Sequence, residues 1–538
     1  MTNQRLRFVD WLAQRLAAEG VRHGFGVPGG GTTLDLLSAL KTAGVETVIT
    51  AREDAATIMA GVSGVLSEGP GLAFCTKGPG LTSAANGLAS ASLDRMPALL
   101  MAETFVPGEL DYVSHQAFDQ AGFAAPLLPG AASAVLDPMP EAVSAWLGRW
   151  PRPLREPAVM FATGEDFRRS IEPLPVAVPK SASVKDENLE AARRLLSGSR
   201  HPIVVVGLEA ARPGVAGPLC GFVEALGAPT LCTYMAVGAL PTDHPNYAGI
   251  FTGGAIEQMC VKDADLIILV GLDPVELIRK PWTYAAPVLD LVEVARSPHY
   301  LVPEHRVLGP LEASLLDLAD KAVAGDWSTS SIVGHRNRFF EGMAIHAEAG
   351  LSSGEVVKRV DRAFAGGSNR PRLSVDAGAH MFSACAFWAS TRPRDLLISN
   401  GLASMGFAIP AAIAAALHDP DRGAVAMTGD GGLLMCLGEL KTAVETGTKL
   451  CVIVFNDGRL SLIDIKREER QMADLGMTWK RPDFAAMARG FGMPAWRVED
   501  APGLGAALDQ VAAIDGPTLI DVVVDPGGYL AQMKALRG

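Results

Sequence analysis

Short apolar runs alternate with longer amphipathic stretches along almost the whole chain. Runs such as "PALLMAE" and "LCVIVF" have the length and composition of buried strands, and the stretches between them have helical periodicity. This alternation is typical of parallel sheets that are covered by helices on both faces. The chain is therefore predicted to be an α/β protein.

The strand-like runs fall into three groups. The first group closes near residue 165, the second runs from "HPIVVVG" to "ASLLDLADKAVAG", and the third contains "GAVAMTG" and "LCVIVFND". The Pro-rich stretch "IEPLPVAVPKSASVKDE" suits neither a helix nor a central strand and is predicted to be a linker. The stretch "DWSTSSIVGHRNRFFEG" is a second candidate linker. Because 538 residues exceed what one core serves, we predict three domains at residues 1–168, 186–325 and 350–530.

The net charge of the chain restricts the classes of molecule that it is expected to bind. The formal net charge is −12, and 49% of the residues are apolar while 20% are charged. A diffuse negative field disfavours nucleic acid and anionic membrane surfaces. We therefore predict small molecules and other subunits as partners, with no nucleic acid and no membrane.

Cysteine usage and the first segment of the chain bear on the compartment. The seven cysteines are scattered and form no CxxC pair, which fits a reducing cytoplasm. The segment "MTNQRLRFVDWLAQRL" is amphipathic and lacks the apolar core of a signal peptide. The longest apolar run, "IPAAIAAAL", is too short to span a bilayer. We predict a cytoplasmic protein.

Two glycine-rich segments follow strand-like runs in the first domain. "GFGVPGG" matches G-x-G-x-x-G, but Pro28 stands where a dinucleotide site needs helix N–H donors, and no ribose-binding acid is evident. "CTKGPGLTSAANG" is a strand end followed by a Gly-Pro-Gly turn and a helix start. Ligands of parallel sheets bind beyond the carboxyl ends of strands. Loops 26–31 and 76–80 are therefore predicted to line one mouth.

The segment "GDGGLLMCLGELKTAVETGTKLCVIVFNDGRLSLI" places acids at the ends of two successive strands. Asp430 stands between Gly429 and Gly431, and Asp457 follows the next strand. The spacing leaves room for one crossover helix, so the two acids should lie at neighbouring strand ends. Mg²⁺ prefers hard oxygen ligands and completes its shell with phosphates and water. Glycines let the backbone approach a diphosphate. This segment predicts a magnesium diphosphate site.

Residues 429–459 resemble the thiamine diphosphate motif, which begins with Gly-Asp-Gly and ends with an Asn pair. "GVPGG", "REDAATIMAG", "TKGPGLTSAANGLA", "NGLASMGFAIPAAIAAAL" and "DGPTLIDVVVDP" occur in the family order. Over essentially the whole chain, the sequence is similar to the thiamine-diphosphate-dependent superfamily of acetolactate synthase and benzoylformate decarboxylase. The resemblance implies a pyrimidine-binding domain, a central domain of modified Rossmann type and a diphosphate-binding domain. It also implies a homodimer or homotetramer with active sites between subunits.

The resemblance assigns ligands. It implies that Mg²⁺ is held by Asp430, Asp457 and the backbone carbonyl of Arg459, although the family usually has Asn where Asp457 stands. Met405 matches the apolar residue that props the cofactor in its bent form, and the carbonyl of Ala403 would face the pyrimidine amine. The cofactor-binding residues implied in this way are Gly29, Gly30, Pro79, Asn86, Asp376, Ala379, His380, Ala403, Met405, Gly429, Gly431, Gly432 and Leu462.

Glu53 matches the acid that the family requires for catalysis. A carboxylic acid against the aminopyrimidine ring can pass it a proton, so that the exocyclic amine becomes able to deprotonate the thiazolium carbon. The adjacent Asp54 is a rival, but helical neighbours point about 100° apart and only one can face the cofactor. The motif favours Glu53.

The implied reaction is decarboxylation of a 2-oxo acid through an enamine intermediate, followed by protonation or by ligation to a second carbonyl. Gly30 stands where decarboxylases of the superfamily often carry Asp or Ser and acetolactate synthases carry Gly, which favours an acetolactate-synthase-like carboligase. Lys77 replaces a small family residue and is either a surface lysine or a binder of an anionic acceptor. The candidate substrate residues are Gly31, Lys77, His115, Gln116, Phe118 and Asp119.

Four alternatives are considered. A simple 2-oxo acid decarboxylase and a lyase of 2-hydroxyacyl thioesters use the same cofactor. A flavin-dependent oxidoreductase of pyruvate oxidase type would use the central domain, but "VVVGLEAARPG" lacks a glycine cluster and "VGLDPVELIRKPW" lacks the acidic-arginine run of flavin-binding relatives. The sequence thus argues against FAD. A non-catalytic paralogue is disfavoured because Glu53 and Asp430 are both present.

Overall fold

The computed structural model describes residues 5–129, 134–149, 156–172, 186–277, 282–296, 301–366 and 369–537. Within these residues the chain forms three α/β domains, each built on a six-stranded parallel sheet. The predicted α/β class and the three parallel sheets are confirmed.

Domain 1 has the strand order β3-β2-β4-β5-β7-β6, and an antiparallel pair, β1 with β8, lies beside this sheet. Its strands are β1 (Leu6–Arg7), β2 (His23–Val27), β3 (Glu46–Ile49), β4 (Gly71–Cys75), β5 (Ala98–Glu103), β6 (Ala134–Leu136), β7 (Ala158–Ala162) and β8 (Ser170–Ile171). Its helices are α1 (Phe8–Ala18), α2 (Thr32–Thr42), α3 (Glu53–Ser67), α4 (Pro79–Leu93), α5 (Gln120–Ala124), α6 (Pro140–Arg149) and α7 (Gly164–Arg168).

Domain 2 has the strand order β11-β10-β9-β12-β13-β14. Its strands are β9 (Pro202–Val206), β10 (Thr230–Cys232), β11 (Tyr247–Ile250), β12 (Leu266–Val270), β13 (Val288–Val292) and β14 (His305–Leu308). The helices of this part of the chain are α8 (Asp186–Gly198), α9 (Pro213–Leu226), α10 (Gln258–Lys262), α11 (Leu311–Asp320) and α12 (Thr329–Met343).

Domain 3 has the strand order β16-β15-β17-β18-β20-β19. Its strands are β15 (Arg372–Val375), β16 (Leu396–Ile398), β17 (Ala424–Gly429), β18 (Leu450–Asn456), β19 (Ala495–Val498) and β20 (Thr518–Val523). Its helices are α13 (Ser353–Ala363), α14 (Ala379–Phe387), α15 (Ala408–His418), α16 (Asp430–Cys436), α17 (Glu439–Thr446), α18 (Ser461–Glu469), α19 (Phe484–Gly490), α20 (Ala501–Val511) and α21 (Tyr529–Arg537).

Strand β4 shows why the sequences of the central strands are continuous apolar runs. Leu72 and Phe74 pack into one hydrophobic cluster, while Ala73 and Cys75 pack into another on the opposite face. Successive side chains of a strand point to opposite faces. Because helices cover both faces, every residue of the strand is buried and an alternating pattern is absent.

The second candidate linker contains a helix. Helix α12 forms in the sequence stretch at 326–342, and Ser328 caps it by accepting a hydrogen bond from the N–H of Ser331. Ile332, Phe339 and Met343 are buried at helical spacing. The N-cap and the helical spacing of the buried residues account for this helix, and the linker itself stays a prediction.

The other predicted linker, residues 171–187, lies largely outside the described residues. The sheets of the three domains fall inside the ranges 1–168, 186–325 and 350–530, while β8 and α21 extend past two of these limits. The domain boundaries themselves stay predictions. No described helix has the length and apolarity needed to cross a membrane.

The domains are joined by buried polar contacts. Asp94 of domain 1 accepts hydrogen bonds from the Ser399 hydroxyl and the Gly401 N–H of domain 3, both at 2.6 Å. Arg95 pairs with Asp273 of domain 2 at 2.9 Å. Helix α15 also packs directly against α3. Domains 1 and 3 of one chain are therefore held in a fixed relation.

Candidate active site

A cavity of about 230 Å³ lies at the carboxyl edge of the domain 3 sheet. It is surrounded by the segments that follow β15, β17 and β18, which are neighbours in the sheet. The crossover helices bring these strand ends together, as expected for a ligand site of a parallel sheet. The sequence-predicted residues that line the cavity are Ala379, His380, Ala403, Met405, Gly429, Asp430, Gly431, Gly432, Asp457, Arg459 and Leu462.

Asp430 and Asp457 lie close enough to repel each other. Burial and the nearby Asp457 carboxylate raise the pKa of Asp430 to about 7. Burial likewise raises the pKa of Asp457, whose oxygens accept hydrogen bonds from the Arg459 N–H at 3.1 Å and the Ser461 hydroxyl at 2.5 Å. A divalent cation between the two carboxylates would remove this penalty.

The backbone carbonyl of Arg459 is a third oxygen at this place. Residues 458–460 pair with 477–479 as a short antiparallel bridge, in which the Leu460 N–H donates to Met477 and the Trp479 N–H donates to Gly458. In such a bridge the middle residue turns its backbone groups away from its partner. No hydrogen bond to the Arg459 carbonyl is found within the described residues.

These three oxygens fit Mg²⁺. In the part of the chain that the structure describes, no cluster of three or more His, Cys, Asp or Glu could hold a metal. Two carboxylates with one carbonyl form an incomplete hard-oxygen shell, which is the arrangement expected when phosphate oxygens and water supply the rest.

His380 adds an unsatisfied polar atom beside the cavity. It lies in the first turn of α14. Its ring stacks on Phe455 with the ring centroids 5.0 Å apart, and burial lowers its pKa to about 4. Its Nε2 is buried without a hydrogen-bond partner in the described structure. A buried atom of this kind requires a ligand or water to satisfy it.

Two glycines are fixed by close packing at the cavity wall. A Cβ on Gly432 would lie 2.1 Å from Oδ2 of Asp376, and a Cβ on Gly431 would lie 3.1 Å from Leu460 and 3.2 Å from the Met405 methyl group. Gly432 therefore accepts no side chain unless Asp376 shifts, and a side chain at Gly431 would require Leu460 and Met405 to give way.

The loop that carries Met405 is held in an uncommon backbone conformation. Ala403 has φ +55°, a left-handed conformation that non-glycine residues seldom adopt. Asn86 of domain 1 donates to the hydroxyl of Ser404 at 3.1 Å. Strained residues cluster at ligand sites when the surroundings hold them in place. Asn86 thus contacts the loop rather than the cavity.

The side chains of two polar residues near the cavity point away from it. Asp376 lies behind the cavity, where it accepts hydrogen bonds from the Thr428 hydroxyl at 2.5 Å and the Ala408 N–H at 2.6 Å. Asn456 donates to Asp521 at 2.8 Å inside the core. Because successive strand residues face opposite ways, Asn456 and Asp457 cannot serve the same site.

Domain 1 forms a second group of predicted residues at its own carboxyl edge. Glu103, at the end of β5, is buried and accepts hydrogen bonds at 2.8 Å from both the Thr33 N–H and the Thr76 hydroxyl. It therefore ties together the two glycine-rich segments predicted to line one mouth. Gly26 and Val27 belong to β2, so the first loop begins at Pro28 and not at residue 26.

The glycines of this loop differ in their surroundings. A Cβ on Gly29 would lie 2.9 Å from Glu103, and one on Gly31 would lie 3.3 Å from it. A Cβ on Gly30 would meet nothing within 4 Å, so this position faces open space. Gly30 is the place in the loop where a larger side chain would project into the mouth.

Glu53 is the first residue of α3. A Cβ on Gly80 would lie 3.3 Å from its Oε1, so the carboxylate lies against the start of α4, which begins at Pro79. Asp54 instead accepts hydrogen bonds from Arg52 and from the N–H of Ala55. Glu53 and Asp54 therefore face different surroundings, as helical geometry predicts.

The start of α3 is anchored by domain 3. Glu439 is buried and accepts hydrogen bonds from the N–H groups of Ala51 and Arg52, both at 3.1 Å. Sequence reasoning missed Glu439 because the contact joins residues nearly four hundred positions apart. Glu103 was missed although it ends a predicted strand, which is the position where functional acids are expected.

The segment at 115–120 packs on the second glycine-rich loop. The Gly78 N–H donates to Gln120 at 2.8 Å, and a Cβ on Gly78 would lie 2.7 Å from that of Gln116, which itself has φ +61°. Asp119 caps α5, the ring of Phe118 contacts Phe123, and His115 is exposed. Gln120 therefore attaches this segment to the mouth.

The two groups remain separate within one chain. All residues that line the 230 Å³ cavity belong to domain 3, and none of the domain 1 candidates is among them. Glu53 and Asp430 are thus not brought to one cavity by the fold of a single chain.

Three family models match the chain. They are described as the thiamine pyrophosphate enzyme N-terminal TPP binding domain, at residues 6–123, the central domain, at 189–314, and the C-terminal TPP binding domain, at 376–522. The chain is 26% identical to an acetolactate synthase of Bacillus subtilis over 538 residues, covering 96% of this chain and 93% of the relative.

Two further relatives are similar at the same level. The acetolactate synthase isozyme 2 large subunit of Escherichia coli is 26% identical over 538 residues, with 96% of this chain and 95% of the relative covered. A probable 2-ketoarginine decarboxylase of Pseudomonas aeruginosa is 27% identical over 529 residues, covering 95% and 93%.

Proposed function

The chain belongs to the thiamine pyrophosphate enzyme family, and we propose that it is a Mg²⁺-dependent enzyme that decarboxylates a 2-oxo acid and ligates the product to a second carbonyl compound. The observation that carries the proposal is the cavity in which Asp430, Asp457 and the free carbonyl of Arg459 stand beside a glycine wall.

Within this proposal each residue has a defined task. Asp430, Asp457 and the Arg459 carbonyl would hold Mg²⁺, and Gly431 and His380 would contact the diphosphate. Thiamine diphosphate, when bound, supplies a nucleophilic carbon for the substrate carbonyl and an electron sink for the pair left by carbon dioxide. Ala403 and Met405 would contact the pyrimidine ring of the cofactor. Ala379, Gly429, Gly432 and Leu462 would contact the cofactor from the cavity wall.

Glu53 would hold a proton and exchange it with the ring nitrogen of the aminopyrimidine. Its carboxylate already lies at the mouth of domain 1, and Glu439 fixes the helix start that carries it. Proton transfer by a positioned carboxyl group contributes about 10²–10⁴-fold to a rate.

We further propose that the enzyme is a homo-oligomer in which domain 1 of one subunit covers the cavity of another. Large apolar side chains are exposed in the same two regions: Met435 is 57% and Ile463 is 49% exposed in domain 3, and Ile49 is 52% exposed at the end of β3. In the proposed oligomer these side chains would be covered by the neighbouring subunit. Such an arrangement would bring Glu53 to the cofactor. A cytoplasmic location stays a prediction.

We propose that the central domain holds no dinucleotide. Its switch point lies between β9 and β12, where Glu276 accepts hydrogen bonds from the N–H groups of Leu208 at 2.9 Å and Asp273 at 3.0 Å. A Cβ on Gly207 would lie 2.4 Å from Leu272, so the two loops pack directly on each other. Backbone donors that a pyrophosphate needs are thus occupied by buried carboxylates. We therefore do not propose a flavin-dependent oxidoreductase.

The proposal is tested with a panel of 2-oxo acids, in which carbon dioxide and carbon–carbon bonded products are measured separately. We expect carbon dioxide only when thiamine diphosphate and Mg²⁺ are both present. Aldehyde without ligated product would favour the simple decarboxylase, and activity on 2-hydroxyacyl thioesters alone would favour the lyase. Carbon dioxide release that does not depend on thiamine diphosphate would contradict the proposed function.

Lys77 is the residue by which we propose that an anionic acceptor is bound. It follows β4 at the mouth of domain 1, and its Nζ lies 4.5 Å from the ring centroid of Phe105. Within the described residues its ammonium group makes no ion pair, and Glu103 is already occupied by Thr33 and Thr76. A half-buried cation over an aromatic ring is held in place and is free to bind an anion.

The charge that Lys77 binds should persist through the reaction. Decarboxylation disperses the charge of the reacting carboxylate, so a cation bound to that group would stabilise the substrate more than the transition state. An acceptor carboxylate or phosphate keeps its charge throughout. The acceptor is therefore the better partner.

Replacing Lys77 with Met should lower ligated product by about 10- to 100-fold, the effect of losing one charged hydrogen bond. Carbon dioxide release should continue, and free aldehyde should accumulate. Lys77→Arg is the matched control, because it keeps the charge and should retain most of the ligation. Equal loss of both products would exclude the acceptor role, and no loss of either would make Lys77 a surface lysine.

A further inference from the structure

The loop between α18 and α19 folds back over the candidate metal site. It pairs with the segment that carries Arg459 through two backbone hydrogen bonds, from Leu460 to Met477 at 2.9 Å and from Trp479 to Gly458 at 2.8 Å. The same loop places the indole of Trp479 against Asp430, where its Nε1–H donates to Oδ2 at 3.1 Å. One loop thus contacts two of the three candidate ligands.

The hydrogen bonds on Asp430 are distributed unequally between its oxygens. Oδ2 accepts from the Gly458 N–H at 2.9 Å and from Trp479. Among the described residues, Oδ1 accepts only from the Gly431 N–H at 2.8 Å. An ionised carboxylate has about four lone-pair sites, two on each oxygen. Both sites of Oδ2 are therefore used, and the remaining site is on Oδ1.

We infer that Trp479 is a positioning residue of the metal site, which fixes the Asp430 carboxylate so that Oδ1 faces the cation. The inference rests on the proposed function. Through the backbone bonds of the same loop, the Arg459 carbonyl is turned toward the same place. Groups that hydrogen-bond to metal ligands set the orientation of those ligands and their basicity.

The packing of Trp479 agrees with this role. Its ring lies beside Gly431, since a Cβ on that glycine would lie 3.8 Å from the far edge of the indole. The side chain is half-buried and belongs to none of the hydrophobic clusters of the described residues. Its contacts are with the site, and its removal should have a limited effect on the folded core.

Replacing Trp479 with Phe keeps an aromatic ring and removes the N–H donor. Mg²⁺ affinity, measured calorimetrically at saturating thiamine diphosphate, should fall by about 10- to 100-fold. The Mg²⁺ concentration that gives half-maximal turnover should rise by a similar factor, because the cation is bound less tightly when the ligand is no longer held in place. Trp496→Phe is the matched control, since that indole donates to Gln510 at 3.0 Å on the edge of the sheet.

A second variant isolates the donor. The variant Trp479→His keeps a ring N–H. It should bind Mg²⁺ more tightly than Trp479→Phe does, even when both variants melt at a lower temperature than the wild type. Equal or tighter binding by Trp479→Phe relative to wild type would overturn the positioning role. If the wild type itself bound no Mg²⁺ with thiamine diphosphate, the proposed function would fail instead, so the two failures are distinguishable.

Discussion

Replacing Glu53 with Gln should lower turnover by about 10²–10⁴-fold, because glutamine keeps the shape of the side chain but cannot exchange a proton. Affinity for thiamine diphosphate with Mg²⁺ should change little, since the proposed diphosphate and metal contacts all belong to domain 3. Steady-state rates and calorimetric titration of the cofactor measure the two effects separately.

Asp54→Asn is the control for this experiment. Asp54 neighbours Glu53 on α3 but is engaged by Arg52, so its replacement should leave turnover within a few-fold of the wild type. Hydrogen–deuterium exchange at the thiazolium carbon reports the proposed proton step directly. If Glu53→Gln exchanged this proton as fast as the wild type, the assignment of Glu53 would be wrong.

Asp430→Ala should abolish both Mg²⁺ binding and activity. The change removes one of two carboxylates and leaves the N–H donors of Gly431, Gly458 and Trp479 without their acceptor. Loss of a ligand should exceed the roughly 10- to 100-fold effect of losing an outer partner. Metal titration measures the affinity, and the melting temperature separates it from unfolding.

Asp457→Asn is the matched change at the second acid. An amide keeps an oxygen for the cation, can still accept from the Arg459 N–H, and removes the repulsion between the two carboxylates. Mg²⁺ binding and activity should therefore be retained. A collapse of affinity in this variant would show that the site depends on the second negative charge.

The sequence predicted the parts of the fold that depend on local pattern. Continuous apolar runs such as β17 and β18 can be recognised because both faces of each strand are buried. The centre of the cavity could be predicted from the glycines around Asp430 and from the acid that follows the next strand. This was possible because the carboxyl ends of parallel strands lie at one edge of the sheet. The resemblance added His380 and Met405, which line the same cavity.

Contacts between distant segments could not be predicted in this way. Trp479 lies in an irregular loop, where no periodicity indicates which group it meets. Glu439 acts on the backbone of a different domain, and such a contact leaves no local pattern. The resemblance assigned Asp376 to the cofactor, but its side chain turns toward Thr428 behind the cavity. Strand alternation alone would have excluded Asn456 from the site.

In the proposed oligomer Glu53 and Asp430 of different subunits share one active site, and co-expression of Glu53→Gln with Asp430→Ala tests this most directly. Each variant alone should be inactive. In randomly paired dimers half of the molecules are hybrids with one intact site, so roughly a quarter of wild-type carbon dioxide release is expected. Release that stays at the level of the single variants, although a tag on one variant co-purifies the other, would contradict the account.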